Sequence, residues 1–80
     1  MRTKEMTKLY RDHGLDASNI SSKSKVVYEA KVAVTELLYH KHGIGSADIA
    51  AFECHMFGAT THRTTIRYRL GMLTRNEELP

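Results

Sequence analysis

Apolar residues return at helical intervals along most of the chain, and nowhere alternate with polar ones for long enough to make a strand. The spacing predicts four helices. Over about 3–13, Met6, Leu9, Tyr10 and His13 share one side, with Gly14 as the stop and Leu15 placed to pack back. Residues 16–24 read as a serine-rich connector with Ile20 as its anchor. The second helix is expected over 24–42, capped by Ser22 or Ser24. Val26, Ala30, Ala33 and Leu37 form its stripe at i, i+4, i+7 and i+11, and Val27, Val34 and Leu38 widen it. Lys41 and His42 suit the negative end of its dipole, and Gly43 ends it.

A third helix is expected over 46–57, with Ser46 as N-cap and Asp48 in the first turn. Ile49, Phe52 and Met56 mark its inner face, with Ala50, Ala51 and Cys54 small enough for close approach, and Gly58 stops it. The fourth is expected over 61–75, capped by Thr60 or Thr61, with Ile66, Leu70 and Leu73 facing inward. The expectation is an all-α single domain of 1–80: an N-terminal helix within 1–15, the connector, a helical core over 25–75 and a tail at 76–80. The placement of the first helix stays open, either capping the core or reaching a neighbour.

Composition sharpens this picture in three ways. Eighty residues bury only about 60–65% of the surface their unfolded chain exposes, so the core is thin and self-association is a plausible supplement. Tyr10, Tyr28, Tyr39, Met56, Phe57, Tyr68 and Met72 are more large side chains than short helices must bury. They point to a homo-oligomer, paired through the first helix or the Val26–Leu38 stripe. A lone cysteine and a charged N-terminus without a long apolar run predict a cytoplasmic protein that does not enter a membrane.

Net charge is only +3, but its placement is uneven. No acid lies between Glu53 and Glu77, where Arg63, Arg67, Arg69 and Arg75 fall, whereas 44–57 holds Asp48 and Glu53 and no lysine or arginine. Around Ile66 and Leu70, helical geometry puts Thr64, Thr65 and Tyr68 outward, Arg63 and Arg67 along one flank and Arg69 along the other. Arginine forks onto phosphate or guanine, and threonine donates, accepts or touches a thymine methyl. The bland account of the same helix has arginine stems covering the edges of a core.

The run "SADIAAF", a glycine break and "THRTTIRYRLGML" together resemble the helix-turn-helix of bacterial and phage DNA-binding regulators, over about 46–73. The resemblance implies that the last helix lies in the major groove, with the helix at Val26 to His40 in the place of the supporting helix. His62, Arg63, Thr64, Thr65, Arg67, Tyr68 and Arg69 would then meet DNA. The chain departs from the usual pattern at two points. Glu53 occupies a normally apolar place, and Gly58 stands about two residues farther from Ile66 than in the common tight turn.

Other chemistry is thin. His40, His42, Cys54, His55 and His62 lack the paired spacing of a structural zinc site, so no metal and no cofactor is expected. Cys54 is read as a small buried hydrophobe. Without a phosphate loop, nucleophile elbow or close carboxylate pair outside the tail, an enzyme is not expected. Two readings remain. The first is a small DNA-binding transcriptional regulator that acts as a dimer through the seven side chains named above. The second is a helical adaptor that binds an acidic or amphipathic protein surface through the same arginine, tyrosine and methionine side chains.

Overall fold

The structure, a computed structural model, describes residues 1–72. Leu73, Arg75 and the tail lie outside them. Four α-helices follow in order: α1 (Thr3–Asp12), α2 (Lys25–Glu36), α3 (Ser46–Phe57) and α4 (Arg63–Arg69), and no strand occurs among the described residues. No helix among them is long and apolar enough to cross a membrane.

The helix starts and stops follow local chemistry. Ser24 caps α2 by accepting from the Val27 amide, and Gly58 ends α3 in the left-handed conformation at φ 68°. The N-cap of α3 is Gly45 rather than Ser46, which is the first helical residue. The second helix departs from expectation at its end: it changes to a π-helical turn over Leu37–Lys41, where the His42 amide reaches back to the Leu37 carbonyl. After Gly43, the Ile44 amide bonds the Leu38 carbonyl, which folds Ile44 against the core.

The fourth helix is shorter than its apolar spacing predicts. Gly71 turns left-handed at φ 73°, and the Gly71 and Met72 amides bond the Tyr68 and Arg67 carbonyls, closing the helix after Arg69. Neither expected threonine caps it, since His62 is the N-cap and makes no side-chain bond there.

The core is Met6, Tyr10, Leu15, Ile20, Val34, Leu38, Ile49, Ala50, Phe52, Ala59 and Ile66. Met6 and Tyr10 of α1 belong to this cluster, so α1 covers the core of its own chain. Tyr10 lies against Phe52 and Phe57, with ring centroids 5.4 and 5.2 Å away. The connector is a built turn. Asp16 accepts from the Ser18 amide at 2.8 Å, and Asn19 donates to the Gly14 carbonyl at 2.7 Å. Ile20 is thereby held in the core.

The inner stripe of α2 differs from expectation. Val26 is 77% exposed, because the helix turns Val27, Lys31, Val34, Thr35 and Leu38 toward the rest of the fold. Met56 and Cys54 of α3 are likewise exposed rather than internal. Met56 shares the side of Ile49 and Phe52 but sits near the far end of the helix, and Cys54 lies past Glu53 toward the outer side.

Two substitutions separate the expected stripe from the observed one. Leu38→Ala should cost about 2–5 kcal/mol in denaturant unfolding, as a buried leucine truncation does. In dilute, monomeric protein Val26→Ser should stay within about 0.5 kcal/mol of the parent, as an exposed position does.

Candidate nucleic-acid interface and the charge pair behind it

The seven side chains expected to meet DNA separate into three groups. His62, Arg63 and Thr64 are exposed at the start of α4. Thr65, Arg67 and Tyr68 are half-buried along it. Arg69 is a correction: it is only 6% exposed and forms an ion pair with Glu53, so it does not lie on an outer flank. The physical reason is its position three residues after the fully buried Ile66, which turns it onto the inner side of a helix that packs tightly on α3.

The pair is bidentate. Arg69 Nη1 and Nη2 donate to Glu53 Oε2 and Oε1 at 2.5 and 3.1 Å, and Glu53 is fully buried. Tyr10 of α1 donates its hydroxyl to Glu53 Oε2 at 2.6 Å, and Thr61 donates to Oε1 at 3.0 Å. Arg69 Nη1 also donates to Thr35 Oγ1 of α2 at 3.4 Å, while Thr35 donates its own proton to the Lys31 carbonyl at 2.7 Å. Each Glu53 oxygen thus accepts two hydrogen bonds. Arg69 Nε is buried and has no hydrogen-bond partner among the described residues.

Thr61, expected as a helix cap, is spent on this network. The long turn over 58–62 is what brings it there. Ala59 is buried in that turn with its amide on the Glu53 carbonyl, and the Cys54 thiol donates to the Thr61 carbonyl at 3.3 Å. Both departures from the usual helix-turn-helix pattern, the polar Glu53 and the lengthened turn, therefore belong to one arrangement.

On the outer side, Arg63 and Arg67 make no ion pair among the described residues. They line a cavity of about 440 Å³ with Tyr39, Gly45, Ser46, Ala47 and Met72. The N-terminus of α3 opens there, with no side-chain cap on its first amides. Two guanidinium groups and the positive end of a 12-residue helix face the same space. Among the described residues, no three His, Cys, Asp or Glu side chains gather as a metal set.

The charge pair leaves two signals in the sequence, though not the pairing itself. Glu53 is an acid at an inward position beside Phe52, and Arg69 shares the side of Ile66 and Leu70. Neither names its partner, because the two are 16 residues apart and meet only after the turn closes.

Removing one member should be severe. Arg69→Met leaves a buried carboxylate without its cation and should cost about 3–5 kcal/mol by denaturant unfolding. Tyr10 generates a pH test. Burial, the Glu53 charge and the hydrogen bond to Glu53 raise its phenol well above the ordinary value of 10.0. An unfolded tyrosine ionises near that value while the folded one stays protonated. The contribution is complete below about pH 10 and is lost as pH rises beyond it, at about 1.4 kcal/mol per pH unit. Wild type should therefore lose stability more steeply than Tyr10→Phe above pH 10.

No protein-family model, curated protein or solved structure matches this chain.

Proposed function

We propose that the chain is a small cytoplasmic, non-enzymatic DNA-binding regulator that docks on duplex DNA through the start of α4 and the start of α3. The observation that carries this reading is the meeting of Arg63 and Arg67 with the uncapped N-terminus of α3 around one cavity. A phosphate diester suits that place. It carries one negative charge, it accepts from guanidinium forks and backbone amides together, and a duplex repeats it along both strands.

Arg63 and Arg67 hold backbone phosphate in this reading. His62 and Thr64, exposed at the leading end of α4, reach toward base edges, and Thr65 and Tyr68 shape the side of the contact. Arg69 has no direct role and instead sets the direction of α4 through Glu53. With α4 only seven residues long, a single copy reads few bases, so a dimer with two half-sites fits the reading. The exposed Val26 and the half-buried Ala33 and Leu37 of α2 give a second copy an apolar seam to meet.

Titration of a labelled non-specific duplex over a salt series tests the reading. Binding should weaken linearly in log–log form with salt. Arg63→Ala and Arg67→Ala should each flatten the slope by about 0.9 while leaving the helical circular dichroism intact. Absence of binding at low salt would remove the DNA reading. The exposed Tyr28 and Met56 would then favour the adaptor, with a protein as the partner.

A further inference from the structure

A second cavity lies on the other side of α4 and shares no residue with the first. It encloses about 310 Å³ and is bounded by Ile20 of the connector, Lys31 of α2, Thr60 and Thr61 of the α3–α4 turn, and Thr65 and Arg69 of α4. Its polar groups are unbalanced. Lys31 Nζ donates to the Ile20 carbonyl at 2.9 Å, a neutral acceptor, and makes no ion pair among the described residues. That leaves two of its three N–H bonds for something else.

The acid that acts on Lys31 is Glu53, whose oxygens already accept from Tyr10, Thr61 and Arg69. Arg69 and Glu53 cancel, so Lys31 is a surplus positive charge at a half-buried place. Burial, and then the Arg69 charge, lower the Lys31 ammonium below its ordinary value, while Glu53 acts the other way. Among the described residues the Thr60 and Thr65 hydroxyls make no hydrogen bond and Arg69 Nε finds no acceptor. Donors and positive charge thus face a space in which no acid is free. Such an arrangement suits an anion better than a cation.

We propose that this cavity is an oxyanion site for a phosphate group, held by the Lys31 ammonium and the Thr60 and Thr65 hydroxyls. The cavity is larger than one phosphate, so it accommodates a phosphomonoester as well as the free ion. Filling it joins connector, α2, turn and α4 around one charge. The reading does not depend on DNA binding at the other cavity. The same chemistry has two sources, a small phosphate compound or the backbone of a nucleic acid.

Titration of the full chain with inorganic phosphate at constant ionic strength, followed by amide and lysine side-chain NMR, tests the site. The Thr60 and Thr65 amides should shift saturably, and the pKa of Lys31 should rise as its counterion arrives. Lys31→Gln should weaken the response by about ten-fold or more, and Lys31→Arg should retain it. Arg63→Gln should leave this response in place while weakening duplex binding, so failure of either proposal is distinguishable from failure of the other. Duplex DNA added instead of phosphate identifies the source: the same shifts, absent in Lys31→Gln, assign the site to a backbone phosphate. The proposal is overturned if neither ligand moves these amides saturably, or if Lys31→Gln responds as wild type does.

Discussion

The buried pair between Glu53 and Arg69 is the constraint on which the rest of the structure depends. It joins α3 to α4, and its hydrogen-bond partners come from α1 through Tyr10, from α2 through Thr35 and from the turn through Thr61. Every helix thus has a donor or acceptor in one cluster. Taking two charges out of water costs several kcal/mol per ion, and the pair offsets this only because geometry and extra hydrogen bonds are both good. Its contribution is better described as direction than as strength. An apolar pair of the same size would pack, but it would not require Tyr10, Thr61 and Thr35 to converge.

That direction has consequences for the surface. Because Arg69 points inward, α4 is fixed in rotation about its own axis. Arg63 and Arg67 then open beside the start of α3, and Thr65 opens beside Lys31. Two cavities rich in donors, one on each side of a seven-residue helix, follow from one buried contact. The lengthened turn serves the same end. A tighter turn could not place Ala59 in the core and deliver the Thr61 hydroxyl to Glu53. A departure from a familiar pattern is here the trace of a different packing solution.

Much of this fold is legible in the residues. The bounds of α3, the glycine stops at 14, 43 and 58, the Ser24 cap and the Ile20 anchor all rest on local chemistry, and all stand in the structure. What could not be read depends on neighbours distant in sequence. The α2 stripe through Val26 has good helical spacing, yet the helix is rotated so that Thr35 and Lys31 turn toward Arg69 and the connector. Periodicity identifies a stripe, and packing chooses among stripes when a helix carries more than one. For the same reason six of the seven candidate side chains at α4 remain at or near its surface, while Arg69 does not. A flank assigned by angle alone is blind to a carboxylate arriving from another helix.

Native-state hydrogen exchange tests most directly whether the charge cluster makes the four helices one cooperative unit. The amides to follow are those of Tyr10 in α1, Val34 in α2, Phe52 in α3 and Arg69 in α4, each at a buried residue of its helix. The account predicts that the slowest amides of all four helices open with one shared free energy, equal to that of global unfolding. Separate and much lower opening energies for α1 or α4, with α2 and α3 still protected, would contradict it.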